Sequence, residues 1–136
     1  MNRYLLVILI AVVAIFLSRG HRFYTPSETA VTPARLAKVL DETNGKVLLY
    51  FWQPKDPSCA KMDPIVDQVM SEYASKFTLV KVDTSNPENR AVHDTYNITA
   101  TPTFVVVQKN KIVGAWVGPF TDKNSFLTFM RPSAAY

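Results

Sequence analysis

The sequence predicts an α/β domain, a three-layer sandwich with a mixed central sheet, preceded by one N-terminal transmembrane helix. Three observations indicate this fold. An unbroken apolar run covers residues 4–17. After it, segments with helical periodicity alternate with short apolar β-rich runs, a pattern that favours parallel strands joined through helices. The last two β-rich runs are joined through Lys109-Asn110, which is typical of a tight hairpin and adds an antiparallel pair.

The apolar run is the predicted membrane anchor, residues 1–22, with its helix at about 4–18. A helix over the run spans roughly 21 Å, less than the roughly 30 Å hydrocarbon core. Two interpretations stay open: a cleaved signal peptide, or an uncleaved anchor whose flanking Arg3, Arg19 and Arg22 reach the headgroups. We expect the anchor, because large and charged residues crowd the possible cleavage site. The residues that represent this predicted anchor are Tyr4, Leu5, Leu9, Val13 and Leu17.

The chain after the anchor divides into a stalk (23–31), a domain (32–131) and a short tail (132–136). Short N-terminal anchors usually export the domain attached to them, so we expect a single-pass membrane protein with its domain outside the cytoplasm, in the periplasm or its equivalent. The positive charges on the two sides of the anchor are nearly balanced, which leaves this orientation open.

Composition narrows the classes of partner. The net charge is +4 and the basic residues are scattered, without the basic and aromatic interleaving that is typical of nucleic-acid binding. One cysteine, Cys59, and two distant histidines give neither an internal disulfide nor the spacing of a metal site. We therefore expect no nucleic acid, metal or cofactor. The anchor makes the lipid bilayer one expected partner, and we expect a protein or membrane complex as the other.

The elements of the domain are predicted from local signals. Thr32-Pro33 is a good helix start and Asn44-Gly45 a helix end. The continuous apolar run 47–52 predicts a central strand buried on both faces. Asp56-Pro57 begins a second helix that contains Pro64. The remaining predicted elements are a strand at 77–82, a helix at 87–96, strands at 103–107 and 111–117, and a last helix capped by Thr121.

This order, together with specific residues, resembles thioredoxin over about 32–131. The residues that carry the resemblance are the strand 47–52, then Pro54, Cys59, Pro64, Lys81-Val82-Asp83, Tyr96-Asn97-Ile98, Thr101-Pro102-Thr103 and Gly118. The resemblance implies a cis peptide between Thr101 and Pro102. It also implies that the backbone of the residue before this proline can receive an extended peptide, beside the second helix.

The sequence departs from the family pattern at the position that carries its chemistry. Members with dithiol activity have two cysteines separated by two residues. Here the first position is Asp56 and only Cys59 remains. A carboxylate cannot attack a disulfide, but it can cap a helix. Lys55 stands where the family usually has tryptophan, and Tyr50 where it usually has a buried aspartate. Lys81 matches a family lysine and is expected to pair with Asp83 or to reach solvent.

Three functions are compatible with this degraded site. The leading hypothesis is a redox-inactive, membrane-tethered module that binds a protein, as a subunit or assembly factor of a membrane complex. Its face would comprise Trp52, Lys55, Asp56, Thr101 and Pro102. The alternatives are monothiol disulfide exchange through Cys59 and non-covalent peptide binding, a chaperone role, at the cis-Pro102 edge. We do not expect a dithiol oxidoreductase, and Cys59 is the single catalytic candidate.

Overall fold

The computed structural model describes residues 32–134. The predicted anchor and stalk, residues 1–31, and the last two residues of the predicted tail lie outside this range. Within the described range, no helix combines the length and the apolar character that crossing a bilayer requires.

Four helices and four strands make up the domain. They are α1 (Pro33–Glu42), β1 (Lys46–Trp52), α2 (Pro57–Tyr73), β2 (Phe77–Asp83), α3 (Arg90–Thr95), β3 (Thr103–Gln108), β4 (Lys111–Val117) and α4 (Lys123–Ala134), with a short 3-10 turn at Pro87–Asn89 before α3. The predicted third helix is therefore part 3-10 and part α. The last helix is capped by Asp122, whose carboxylate accepts the amide of Ser125 at 2.8 Å, and the predicted cap, Thr121, is one residue too early.

The strands form one mixed sheet in the order β2-β1-β3-β4. β1 pairs in parallel with β2, and β3 is antiparallel to both β1 and β4. The predicted hairpin is confirmed: Lys109 and Asn110 both have positive φ, at 49° and 61°. Two consecutive positive φ values fit the right-handed twist of the flanking strands.

Helices cover both faces of the sheet, which confirms the predicted layers. Residues of α2 and α4 pack with Leu48, Tyr50 and Phe104 on one face. Residues of α1 and α3 pack with Leu49 and Phe51 on the other. Because successive side chains of a strand point to opposite faces, β1 contributes to both clusters and is buried throughout except at its last residue.

The topology brings three segments together at one end of the sheet. β1 ends at Trp52, and α2 begins a few residues further on, at Pro57. Since β3 runs antiparallel to β1, the start of β3 lies beside the end of β1, with Thr103 opposite Phe51. The loop that enters β3 contains the Thr101–Pro102 peptide, which is cis, as the resemblance implies. The residues predicted for the binding face therefore lie close together at this end of the sheet.

Candidate functional site

Asp56 caps helix α2. Its backbone is extended, with φ −84° and ψ 115°, and its Oδ1 accepts the amide of Ser58 at 2.8 Å. Pro57 occupies the first helical position, where a missing N–H costs nothing because that amide has no partner in a helix. The predicted cap is confirmed, and it satisfies one of the free amides of the helix start.

The second oxygen of Asp56 joins the helix to the cis-proline loop. The Thr101 hydroxyl donates to Asp56 Oδ2 at 2.6 Å, across 45 residues of sequence. This bond, followed by the one from Ser58, holds the pKa of Asp56 below its ordinary value. A carboxylate, ionised at neutral pH, therefore occupies the position of the first family cysteine and ties the two sides of the site together.

Cys59 lies one helical turn inward and is 0% exposed. Burial raises the pKa of its thiol, and the negative charge of Asp56 raises it further. A thiolate is the nucleophile in disulfide exchange. Burial keeps a disulfide from reaching the sulfur of Cys59, and the raised pKa keeps the thiol protonated, so both oppose nucleophilic attack. Cys59 therefore packs in the core as a small buried hydrophobic side chain.

A polar cluster of Tyr50, Asp63 and Lys81 lies between α2 and the sheet. Asp63 belongs to α2, whereas Tyr50 and Lys81 belong to β1 and β2. The Tyr50 hydroxyl is 3.2 Å from Asp63 Oδ1 and 3.3 Å from the carbonyl oxygen of Cys59. Lys81 Nζ donates to the same Asp63 oxygen at 3.1 Å. Burial, followed by the charge of Asp63, raises the pKa of Tyr50. Asp63 was not among the residues predicted for the site, although it lies one turn after Cys59 in the helix.

The expected partner of Lys81 was wrong. Lys81 neither pairs with Asp83 nor extends into solvent. The parallel register places Lys81 opposite Tyr50 and under α2, and its ammonium group therefore reaches Asp63. Asp83 instead accepts the amide of Ser85 at 2.9 Å in the following turn. In the family pattern this lysine lies near a buried aspartate on the strand, at the position of Tyr50. Here Lys81 instead binds a carboxylate of the helix, Asp63.

Of the predicted face, four residues reach the surface and one does not. Lys55 is exposed, whereas Trp52, Asp56 and Thr101 are half-buried. Lys81 Nζ lies 4.3 Å from the centre of a Trp52 ring, a cation–π contact that holds the indole in place. Pro102 is buried, and its carbonyl accepts the amide of Gly118 at 2.8 Å. The prediction that Pro102 belongs to the binding face is therefore corrected, because its ring is buried at the end of the sheet.

The backbone amide and carbonyl of Thr101 have no hydrogen-bond partner among the described residues. Its side chain, in contrast, is held by Asp56. An extended peptide laid along the loop would find one donor and one acceptor there. In the same part of the chain, no three His, Cys, Asp or Glu side chains gather as a metal site would require.

Known proteins share this fold and part of this sequence. The family model described as Thioredoxin matches residues 28–132. Thioredoxin 1 of Synechococcus elongatus is 33% identical over 89 residues, which are 65% of this chain and 81% of that protein. The thioredoxin of Fasciola hepatica superposes with a TM-score of 0.66 at 24% identity, over 77% of this chain and 98% of the other. Deadhead, a germline-specific thioredoxin of Drosophila melanogaster, gives a TM-score of 0.66 at 20% identity, over 78% and 98%.

Proposed function

Because this chain belongs to the thioredoxin family, we propose that it keeps the family's scaffold for binding and has lost its dithiol chemistry. In this proposal it is a redox-inactive, membrane-tethered module that holds a protein partner, as a subunit or assembly factor of a membrane complex. One observation carries the proposal. The Asp56 carboxylate occupies the place of the first cysteine and is hydrogen-bonded to both Ser58 and Thr101.

Kinship with thioredoxins by itself favours redox activity, and the chemistry of the chain argues against it. Dithiol exchange needs one thiolate to attack and a second to release the mixed disulfide. The sequence holds a single cysteine, and that residue is fully buried. Monothiol exchange through Cys59 is the less supported alternative, since its raised pKa opposes attack and a trapped product would need an outside thiol for release.

The proposed binding face uses the groups that remain at the surface. Lys55 offers a positive charge beside the negative charge of Asp56, and Trp52 offers an indole that is rigid because Lys81 packs on it. Aromatic anchors with small ordering cost are the residues that dominate protein interfaces. The Asp56–Thr101 bond fixes the relative position of the helix and the loop, so the face is organised before a partner arrives.

The proposed tether is the apolar run 4–17, which would hold the domain outside the cytoplasm. A partner in the same membrane would then meet the domain at a raised effective concentration, because binding becomes confined to the neighbourhood of the bilayer. A weak binding face would suffice under these conditions, which suits a module whose surface site is small.

A gain-of-function variant tests the loss of chemistry. Asp56→Cys restores the spacing Cys-Pro-Ser-Cys but removes the capping carboxylate, so its folding is checked by circular dichroism. Asp56→Ser is the matched control, since it removes the same carboxylate and keeps a capping oxygen without a thiol. Reduction of insulin disulfides by the detergent-extracted chain is the readout. We expect turnover from Asp56→Cys alone. Turnover by the wild-type chain at the rate of Asp56→Cys would overturn the redox-inactive proposal.

A surface variant tests the binding face. Proteins that copurify with the intact, detergent-extracted chain are compared among wild type, Lys55→Glu and Lys61→Glu. Both lysines are exposed, but Lys61 lies on the solvent side of α2 outside the proposed face. We expect a partner that is lost with Lys55→Glu and kept with Lys61→Glu. Partners unaffected by Lys55→Glu would remove this face from the proposal.

Non-covalent peptide binding is the second candidate, and the free backbone of Thr101 favours it. In this function an extended segment of a client would pair with that amide and carbonyl, as in a chaperone. Binding should then survive Cys59→Ser, because no thiol takes part. Loss of binding in Cys59→Ser, with the variant still folded by circular dichroism, would point back to thiol exchange.

A further inference from the structure

The outer edge of β4 is an exposed apolar surface. β4 is the last strand of the sheet, and its large side chains are Ile112 at 58% exposure, Val113 at 46%, Trp116 at 46% and Val117 at 61%. We call this surface the β4 edge. Trp116 stacks on Phe120 with ring centres 5.0 Å apart, so the indole has a fixed position. Trp116 lies opposite Phe104 on the face of α2 and α4, whereas Ile112 and Val117 lie on the other face, so exposed apolar side chains flank the strand on both sides.

A bulge makes the β4 edge a poor template for another strand. Val106 pairs with Gly114 and Val107 pairs with Ile112, so Val113 is an extra residue on β4 without a partner on β3. A bulge twists a strand and interrupts its regular row of amides and carbonyls. Only residues 114–117 then keep a regular edge, which disfavours continuous pairing with β4 of a second copy.

Positive charge flanks the same surface. Lys109 and Lys111 are exposed at the hairpin end of β4, and the segment 108–117 contains no acidic residue. One carboxylate, Asp41 of α1, lies beside the hairpin, where it accepts Asn110 Nδ2 at 3.5 Å, so the lysines leave a net positive charge there. Apolar side chains, a tryptophan and neighbouring lysines form the combination that binds the interface of a bilayer. There the indole lies at headgroup level and ammonium groups meet anionic lipids.

We infer that the β4 edge, with Lys109 and Lys111, docks the domain on the anionic lipid headgroups of the membrane to which it is tethered. This inference rests on the tether of the proposed function. The segment between the apolar run and the domain, residues 18–31, reaches at most about 46 Å, whereas β4 is about 23 Å long, so the strand can lie along the surface.

The docked state has two further properties. The free backbone groups of a sheet edge cannot enter hydrocarbon without partners, so the strand stays in the hydrated headgroup layer. The far end of β4 adjoins the binding face, because Gly118 donates to the carbonyl of Pro102. Docking therefore holds that face close to the bilayer, at the height of segments that emerge from neighbouring membrane proteins.

Fluorescence quenching by lipid tests the docking. The chain contains two tryptophans, so Trp52→Phe leaves Trp116 as the sole fluorophore. The full chain carrying this change is reconstituted into vesicles of phosphatidylcholine and phosphatidylglycerol, with lipids brominated near the headgroup as quencher. Lys109→Gln/Lys111→Gln is then compared with Lys61→Gln/Arg90→Gln, which removes the same charge from exposed positions on α2 and α3.

We expect brominated lipid to quench Trp116. Each lost hairpin lysine should weaken the surface association about fivefold, and the control pair should leave it unchanged. Flotation with the vesicles reads the tether separately. A chain that floats with Trp116 unquenched overturns the docking alone, whereas a chain that does not float overturns the tether as well. Quenching unaffected by the hairpin pair refutes the headgroup contact. Protection of Trp116 from both lipid and aqueous iodide also overturns it and assigns the edge to contact with a second copy of the chain.

Discussion

Replacing Asp56 by alanine removes two hydrogen bonds at once. The loss of the cap on Ser58 costs about 1 kcal/mol. The loss of the Thr101 bond costs about 1.5 kcal/mol, the low end for a charged acceptor, since the site is half exposed. We therefore expect Asp56→Ala to lower the free energy of unfolding by about 2.5 kcal/mol, a large part of the roughly 5–15 kcal/mol typical of a domain.

Urea unfolding of the detergent-solubilised chain, followed by circular dichroism, measures this loss. The midpoint should fall by about 1.5 M. Asp56→Ser keeps a capping oxygen and should lose only about half as much, and a double-mutant cycle with Thr101→Val should give a coupling of about 1.5 kcal/mol. If Asp56→Ala costs under about 0.5 kcal/mol, or the coupling is near zero, the carboxylate does not join the helix to the loop and the reasoning fails.

Three further predictions concern stability. Asp63→Ala should cost about 2 kcal/mol in urea unfolding, because Lys81 and the Tyr50 hydroxyl lose their shared acceptor; a neutral effect would show that the cluster contributes nothing. Phe104→Ala should cost about 3–5 kcal/mol, because this ring is fully buried; a loss under about 1 kcal/mol would contradict that packing. The contribution of the Asp56 carboxylate to the free energy of unfolding should be complete above pH about 4 and should disappear as the pH falls through its lowered pKa. The stability of Asp56→Asn should therefore lack this part of the acid dependence. Identical acid unfolding profiles of the variant and the wild type would argue against the lowered pKa.

Much of the fold could be predicted because local signals agreed with one another. The Asp56-Pro57 start of α2 and the hairpin at Lys109-Asn110 depend on backbone chemistry that neighbouring residues determine, and both are confirmed. The buried character of β1 was predicted from its unbroken apolar run, and its pairing on both sides explains that run. The anchor predicted at residues 4–18 lies outside the described residues and stays a prediction.

The site itself could be predicted only in part, because its bonds join residues far apart in sequence. The Thr101–Asp56 bond depends on β3 running antiparallel beside β1, which the order of elements alone did not give. Pairing of Lys81 with Asp63 depends on the register between β1 and β2. The carbonyl of Pro102 pairs with the amide of Gly118, which lies at the end of another strand. For Lys81 the local pattern offered a nearer partner, Asp83, and tertiary contact decided otherwise.

The chemical reactivity of Cys59 in the folded chain is the quantity on which the redox-inactive account depends most directly. Its alkylation by iodoacetamide near neutral pH, with and without urea, measures whether a thiolate can be reached. Since the thiol is fully buried and its pKa is raised, we expect labelling to occur only when the chain unfolds. The folding equilibrium constant of a stable domain is roughly 10³ or greater, so labelling should be at least about a hundredfold slower in the native chain than in urea. Native labelling as fast as in urea would mean that the sole sulfur is open to disulfides, and the account would be wrong.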